Sequence, residues 1–161
     1  MPKHPFPPLY DKNSRILILG SFPSVKSREQ MFFYGHPQNR FWKVLSSVLG
    51  MDTPVTVEEK EKLLHENHIA LWDVIASCDI TGSSDSSIKN VIPNNLDGIL
   101  KNADIRQVFV NGKTAERYYN KYIRTACHRS AVCLPSTSPA NAAWSLERLT
   151  VEWEAIREFL D

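Results

Sequence analysis

Short apolar runs recur along the chain, and segments with the spacing of amphipathic helices separate them. The runs are short and rich in Ile, Leu and Val, so they predict buried strands rather than helices. Four strands are predicted, at residues 15–19, 69–75, 107–111 and 130–134. Helices are predicted at residues 41–49, from 56 to about 67, near 94–102, at 112–123 and from about 144 to 160. Thr56 and Glu59 match a capping box, which marks the start of the second helix.

The alternation of strands and helices predicts an α/β fold, a three-layer α/β/α sandwich with a central, mainly parallel four-stranded sheet. The loops after the strands then gather at the carboxyl edge of the sheet, where open α/β folds bind their ligands. We expect one domain over residues 1–161. Residues 1–13 contain four prolines and are expected to form an extended lead-in on the surface. Residues 77–87, rich in Ser, Asp and Gly, are expected to form a functional loop.

Composition and charge narrow the classes of partner. With 42% hydrophobic and 23% charged residues, the chain has the profile of a globular domain with its own core. The net charge is only +1, so a nucleic acid must be bound by a local patch. The three cysteines lack metal-ligand spacing, and their odd number disfavours a disulfide framework. No apolar run approaches the roughly 20 residues of a membrane span. We expect a cytoplasmic monomer that uses no membrane, metal or cofactor.

Two polar and aromatic stretches frame the chain, each directly after a predicted strand. The first is Gly20-Ser-Phe-Pro-Ser24, continued by Tyr34-Gly-His-Pro-Gln-Asn-Arg-Phe-Trp42, and the second is Leu134-Pro-Ser-Thr-Ser-Pro-Ala-Asn141. The first stretch lacks the glycine motifs that bind nucleotide phosphates, which disfavours nucleotide hydrolysis. Its aromatic rings and cations are instead what a stacked base and its phosphates require. We expect Phe41 and Trp42 to belong to the core.

Together these stretches resemble the paired motifs of the uracil-DNA glycosylase superfamily, and they are most similar to its hypoxanthine-DNA glycosylase branch. The similarity covers nearly the whole chain, and its specific part is His36-Pro-Gln-Asn-Arg-Phe-Trp42. The resemblance implies a monofunctional glycosylase of base excision repair that flips a deaminated base, chiefly hypoxanthine, out of DNA and hydrolyses its N-glycosidic bond. The implied partner is DNA containing deaminated bases, and no cofactor is implied.

The resemblance also implies the catalytic residues Asn39 and Ser21. The superfamily commonly places Asp or Asn at the position of Phe22, whose ring cannot hold a water by hydrogen bonding. Either Asn39 takes this role, or the main chain with Ser21 or Ser24 holds the water. Asn39 could also hydrogen-bond the purine, although a neutral amide is not a strong base. An Asn just before a helix is also a frequent N-cap, and the two roles could coexist on different atoms.

Base-binding residues are implied at Phe22, Tyr34, Asp73 and His36. Asp73 ends the second strand, where its carboxylate could accept the N1–H of hypoxanthine or could simply be exposed. His36 could act as an acid near neutral pH or be structural. The second stretch is expected to form a stiff turn that contacts phosphates and enters the minor groove. DNA contacts are implied for Ser24, Ser136, Thr137, Ser138, Pro139, Ala140 and Asn141.

Three other functions stay open. A uracil glycosylase of the G/U mismatch type belongs to the same superfamily. An esterase-like hydrolase could use Ser21 with Asp73 and His36, but the Gly-x-Ser-x-Gly elbow is missing. A non-catalytic nucleic-acid-binding module is disfavoured by the near-neutral charge.

Overall fold

The computed structural model describes residues 2–160 of the chain. Its central sheet consists of four parallel strands in the order β2-β1-β5-β6. These strands are β1 (Ile16–Gly20), β2 (Ile69–Asp73), β5 (Gln107–Asn111) and β6 (Ala131–Leu134). A separate antiparallel hairpin is formed by β3 (Ile75–Asp79) and β4 (Lys89–Pro93). All four predicted strands are therefore present in the sheet.

Helices cover both faces of this sheet. They are α1 (Val25–Gln30), α2 (Phe41–Leu49), α3 (Val57–Glu66), α4 (Asp97–Asn102), α5 (Lys113–Tyr122), α6 (Arg124–Cys127) and α7 (Leu146–Trp153), with 3-10 turns at Asp85–Ser87 and Glu154–Phe159. Side chains of a strand alternate between faces, so Ile16 and Ile18 pack with α2, α3 and α7, whereas Leu17 and Leu19 pack with α4 and α5. The predicted three-layer α/β/α fold is confirmed. Within residues 2–160, no helix is long and apolar enough to cross a membrane.

Local signals position the helices around the site as predicted. The Thr56 hydroxyl accepts a hydrogen bond from the Glu59 N–H, and the Glu59 carboxylate accepts one from the Thr56 N–H, both at 3.1 Å. This capping box starts α3. Helix α2 ends at Gly50, whose φ of 66° suits a residue without a Cβ. Phe41 and Trp42 are buried in the core, as expected.

Two segments near the site differ from the prediction. Residues 69–75, predicted as one strand, divide after Asp73, because the N–H groups of Val74 and Ile75 turn to the carbonyls of Gly20 (2.8 Å) and Ser21 (3.0 Å). The chain then enters β3, so part of the predicted loop at 77–87 is strand. Helix α1 lies between the two parts of the first framing stretch, where no helix was predicted.

The N-terminal segment is extended, but the expectation that it lies on the surface is wrong. Phe6 and Leu9 are buried in the core beside α2 and α3. Leu9 pairs with Leu71 of β2, an edge strand of the sheet, and Lys3 pairs with Ser77 of the hairpin. The segment therefore covers a sheet edge with its backbone and buries its two large apolar side chains.

Candidate active site

A cavity of about 500 Å³ opens at the carboxyl edge of the sheet. Both framing stretches line it, together with residues 83–86 of the loop between β3 and β4. Every site residue named from the sequence lines this cavity except Asn141. The parallel strands explain this convergence, because Gly20, Asp73, Asn111 and Leu134 all end strands at the same edge.

Asp73 is held at the end of β2 by a residue that sequence reasoning missed. Its Oδ2 accepts a hydrogen bond of 2.7 Å from Nε2 of His4, and the two side chains are only 6% and 4% exposed. The ring centroids of Phe6 and Phe22 lie 4.6 Å and 6.2 Å from that of His4 in edge-on arrangements. Nδ1 of His4 is buried and has no hydrogen-bond partner within residues 2–160. The alternative of an exposed Asp73 is therefore wrong.

Gly20, Asp73 and Tyr34 meet beside this pair. A Cβ atom at Gly20 would overlap Oδ1 of Asp73 and lie 3.1 Å from the Tyr34 hydroxyl oxygen, so only glycine leaves room for both. The Tyr34 hydroxyl is buried and has no hydrogen-bond partner in the part of the chain that the structure describes. Burial and the Asp73 carboxylate raise the pKa of Tyr34, while the nearby Asn111 amide opposes the rise. Tyr34 therefore stays protonated and presents a buried O–H donor beside a carboxylate acceptor.

The backbone of Tyr34 is itself strained. Its φ of 52° lies in the left-handed region, which is uncommon for a bulky side chain. The ring stacks on Phe41 with centroids 4.0 Å apart and planes inclined by 16°. Packing against a fully buried ring holds this conformation, which costs of order 1 kcal/mol. One face of Tyr34 is thus already covered by protein.

Asn39 uses the two ends of its amide differently. Its Oδ1 accepts hydrogen bonds of 2.9 Å from the Phe41 N–H and from the Thr137 hydroxyl. Because a backbone N–H must donate, these contacts identify Oδ1 as the oxygen. Arg40, not Asn39, holds the N-cap position of α2. Asn39 still anchors the start of the helix through Oδ1, and its Nδ2 has no partner among residues 2–160.

Thr137 is fully buried and has a structural role, and its expected DNA contact stays a prediction. Its hydroxyl donates to Asn39 and accepts from Nδ2 of Asn111 at 3.0 Å, and its N–H donates to Oδ1 of Asn111 at 3.1 Å. Asn111, the last residue of β5, therefore holds Thr137 through both ends of its amide. The three side chains link the two framing stretches across the end of β5.

Arg40 ties the second framing stretch to the first. Its guanidinium donates to the carbonyl oxygens of Trp144, Asn141 (3.1 Å) and Ser138 (3.3 Å). Asn141 donates through Nδ2 to the Ser136 carbonyl at 3.0 Å, so its side chain is used within the turn and does not line the cavity. Arg40 is thus occupied by protein and is not free for a phosphate.

The hydroxyls of the second framing stretch also bond within the turn. Ser136 Oγ accepts from the Ser138 N–H at 3.1 Å, and Ser138 Oγ accepts from the Ala140 N–H at 3.2 Å. Because each hydroxyl oxygen only accepts in these bonds, both hydroxyl groups can still donate to another acceptor. Pro139 and Ala140 line the mouth of the cavity, and Ala140 is exposed.

A second carboxylate, also missed from the sequence, lines the cavity beside the first stretch. The Ser21 hydroxyl donates to Oδ1 of Asp85 at 3.3 Å. Although Asp85 as a residue is exposed, desolvation at the cavity raises the pKa of its carboxyl group, and the Ser21 hydroxyl opposes that rise. The loop carrying Asp85 is fastened to α1, because Val25 N–H donates to Ser83 Oγ (2.9 Å) and Arg28 donates to the Gly82 carbonyl (2.6 Å).

The triad required for the esterase alternative is not assembled. Ser21 is bonded to Asp85, and Asp73 is bonded to His4. His36 accepts a hydrogen bond from the Gln38 N–H at 3.1 Å through Nδ1. Ser24, a further candidate for holding water, caps α1 by accepting from the Ser27 N–H at 3.1 Å. Among the described residues, no three His, Cys, Asp or Glu side chains cluster to hold a metal ion.

Comparison with known proteins agrees with this fold. Residues 7–160 match the family model of the uracil DNA glycosylase superfamily. The chain belongs to this superfamily, and the prediction of a DNA glycosylase is confirmed.

Individual relatives indicate one branch of that superfamily. A hypoxanthine DNA glycosylase of Methanosarcina acetivorans is 37% identical over 158 residues, which are 97% of this chain and 98% of the relative. A second hypoxanthine DNA glycosylase, from Methanosarcina barkeri, is 36% identical over 144 residues, which are 88% of this chain and 89% of the relative. The solution NMR structure of a candidate uracil DNA glycosylase from Methanosarcina acetivorans has a TM-score of 0.83 and 35% identity, covering 98% of both chains. The predicted resemblance is thereby confirmed.

Proposed function

We propose that this chain is a monofunctional DNA glycosylase that excises deaminated bases, chiefly hypoxanthine, by hydrolysing the N-glycosidic bond. One observation carries the proposal: a buried donor, the Tyr34 hydroxyl, lies beside a carboxylate acceptor, Asp73, at the cavity. Hypoxanthine presents the complementary pair, an O6 acceptor beside an N1–H donor. The curated relatives that carry the name hypoxanthine DNA glycosylase support the same substrate.

This donor–acceptor pair distinguishes deaminated bases from their parents. Adenine and cytosine present an amino donor beside a ring-nitrogen lone pair. The amino donor would face the donor O–H of Tyr34, and the lone pair would face the acceptor carboxylate of Asp73, so both contacts are unfavourable. Deamination reverses that order in both bases. Because a buried polar group without a partner costs about 1–3 kcal/mol, mismatched edges are rejected. Guanine shares the O6 and N1–H edge, but its stable pair with cytosine makes it costlier to flip.

Asn39 is proposed to act on the leaving base. Cleavage leaves the bond's electron pair on the base, so donors aimed at the base lower the barrier. Nδ2 of Asn39 is such a donor, and Oδ1 is already occupied by Phe41 and Thr137. Water orientation by the Asn39 carbonyl, the other role considered from the sequence, is therefore disfavoured.

Ser21 and Asp85 are proposed to hold the attacking water. Phe22 is apolar and Ser24 caps α1, so the Ser21–Asp85 pair is the polar group left at this part of the first stretch. The water oxygen bonds to C1′ as the bond from C1′ to the base nitrogen breaks. Asp85 accepts one proton of the water and releases it to solvent, while the base leaves as an anion beside the Nδ2 donor of Asn39 and takes a proton from solvent.

DNA is proposed to bind as a duplex across the mouth of the cavity. The hydroxyls of Ser136 and Ser138 face this mouth as phosphate donors, and Pro139 with Ala140 would enter the space left by the flipped base. Arg40 is taken by carbonyl groups, so the exposed Lys26, Lys43 and Lys113, all close in sequence to residues that line the cavity, are the proposed phosphate contacts. One chain supplies all parts of the cavity, which supports a monomer acting as a single domain.

A strand-cleavage assay tests the proposal. Labelled duplexes carrying one inosine, uracil, xanthine or unmodified adenine are incubated with the protein, and abasic sites are cleaved with alkali. We expect cleavage at inosine after alkali, none without alkali, release of free hypoxanthine, and no reaction at adenine. If no duplex yields abasic sites, the proposal is wrong. Faster cleavage at uracil than at inosine would favour the uracil glycosylase alternative, since uracil presents the same O4 and N3–H pattern.

A further inference from the structure

His4 lies outside both framing stretches, yet it completes the wall behind Asp73. Its backbone N–H donates to the Ala76 carbonyl at 2.6 Å, and the adjacent Lys3 pairs with Ser77. The rings of Phe6, Phe33 and Trp72 surround the imidazole, with centroid distances of 4.6, 6.3 and 6.2 Å. Backbone pairing and aromatic packing therefore fix both the position and the orientation of the ring.

The bond from His4 selects one orientation of the Asp73 carboxylate. A carboxylate rotates easily, because its terminal torsion is broad. With Oδ2 bound to Nε2, the other oxygen, Oδ1, is directed to the position shared by Gly20 and Tyr34. That is the oxygen available to accept an N–H from a base edge.

The unpaired Nδ1 atom indicates which tautomer His4 adopts. Nε2 must carry a proton to donate to Asp73. A second proton on Nδ1 would create a buried donor without an acceptor, whereas a bare Nδ1 leaves only a lone pair against aromatic edges. His4 is therefore a neutral donor that orients Asp73 without cancelling its charge. Its single polar contact among residues 2–160 is the one to Asp73, apart from its backbone.

We propose that His4 is a positioning residue that holds Asp73 as an oriented acceptor and thereby sets the selectivity for deaminated bases. The inference rests on the proposed function, because Asp73 must read the base for His4 to matter. It extends the base pocket to the N-terminal segment, which neither framing stretch includes.

A double-mutant cycle tests this role. His4→Leu removes the donor at similar volume, His4→Gln restores an amide donor, and each is made in the wild type and in Asp73→Asn. We expect His4→Leu to lower single-turnover excision of hypoxanthine about tenfold, the effect of one lost oriented hydrogen bond, and His4→Gln to recover most of it. In the Asp73→Asn background, His4→Leu should cause no further loss. Lys3→Ala is the control, because this exposed neighbour pairs only through its backbone.

Affinity for DNA that already contains an abasic site separates positioning from misfolding. Binding to an abasic site does not use the base pocket, so this affinity should stay within about twofold of the wild-type value for all folded variants. Hypoxanthine excision by the wild type is the reference, and its absence would contradict the proposed function itself. Suppose that the wild type excises hypoxanthine. If His4→Leu excises it as fast, or if His4→Leu lowers the rate as much in the Asp73→Asn background as in the wild type, only the role of His4 is wrong.

Nuclear magnetic resonance of the wild type gives a second test that requires no folded His4 variant. We expect the His4 ring to show a slowly exchanging Nε2–H and a bare Nδ1. A ring with a proton on Nδ1, or on both nitrogens, would overturn the inference.

Discussion

At the scale of single residues, the anchoring by Asn39 and its proposed chemistry use the two ends of one amide. Asn39→Asp keeps an oxygen for the Phe41 N–H and the Thr137 hydroxyl but replaces the Nδ2 donor. We predict that kcat falls by about 100-fold or more, the usual effect of losing one donor to a developing anion. Single-turnover kinetics on an inosine duplex measures this loss.

Thermal unfolding provides the control for Asn39. Asn39→Ala also removes the two bonds to Oδ1, so it should lower the free energy of unfolding by about 1–2 kcal/mol more than Asn39→Asp does. If Asn39→Asp retains wild-type turnover, Asn39 serves only as a helix anchor.

Gly20 tests how closely Asp73 and Tyr34 must approach the first framing stretch. In Gly20→Ala the new Cβ would overlap Oδ1 of Asp73, which is anchored on its other side by His4. We predict a loss of excision of at least tenfold together with reduced stability, because neither neighbour can move without breaking a contact. Gly98→Ala is the matched control: its Cβ meets nothing within 4 Å in α4, and it should stabilise the fold by about 0.5–1 kcal/mol. Equal activity of the two variants would contradict this geometry.

As the proposed base, Asp85 should make activity depend on pH, and its desolvation should reduce stability at neutral pH. Desolvation raises the pKa of its carboxyl group above the ordinary aspartate value. A base must be ionised, so excision should fall with acidification at a higher pH than an ordinary aspartate would give. In Asp85→Asn this acidic limb should disappear and kcat should drop. Asp79→Asn, on the same hairpin but bonded to Asn90, should keep both turnover and the limb.

The stability of Asp85→Asn gives an independent check of the sign. A carboxyl whose pKa is raised by folding contributes stability below its unfolded pKa and loses it as the pH rises through the folded pKa. Asp85→Asn should therefore be more stable than the wild type at neutral pH, as measured by urea unfolding. A destabilised Asp85→Asn would contradict the desolvation of this carboxylate.

The site residues predicted from the sequence differ from the missed ones in how far apart along the chain their contacts lie. Asn39, Asp73 and Ser21 follow strands or belong to the framing stretches, so local pattern and resemblance place them at the sheet edge. His4 and Asp85 reach the cavity only through contacts 69 and 64 positions apart. Such pairings depend on the path of the whole chain, which periodicity does not specify.

At the scale of elements, prediction succeeded where one pattern decides the structure. Residues 41–49 and 107–111 were predicted as a helix and a strand with the bounds that α2 and β5 have, because each carries an uninterrupted apolar pattern. The β3–β4 hairpin was missed because its register shifts twice and β4 is largely exposed, so neither strand alternates cleanly. That hairpin carries Asp85, so a missed element also hid a site residue.

The capping box of α3 makes a prediction that is separate from the cavity. Its hydrogen bonds with Thr56 hold the pKa of Glu59 below the ordinary value, so the stability it contributes is present at neutral pH and is lost in strong acid. Thr56→Ala should lower the free energy of unfolding by about 1 kcal/mol without changing excision. Urea unfolding at neutral pH should separate Glu59→Gln from the wild type, and the difference should vanish in strong acid. A difference that persists there would mean that the charge of Glu59 is not its source, because a Gln side chain can accept the same Thr56 N–H.

At the scale of the whole molecule, the N-terminal segment is part of the core rather than an appendage. Phe6 is buried against Phe33 with ring centroids 4.8 Å apart. We predict that Phe6→Ala lowers the free energy of unfolding by about 3 kcal/mol, in the range for a buried aromatic ring. Pro7→Ala is the control, since Pro7 is exposed and its loss should cost less than about 1 kcal/mol. Comparable destabilisation by both variants would mean that the segment is not packed as described.

The bonds of Arg40 and Thr137 across the two framing stretches have a consequence for protein engineering. Arg40 holds carbonyls between Ser138 and Trp144, while Thr137 joins Asn39 to Asn111. A chimera that imports only the second stretch from another glycosylase would leave these partners mismatched, however well the borrowed loop suits DNA. Transplanting substrate preference between such enzymes therefore requires moving both stretches, with the end of β5, as one cassette.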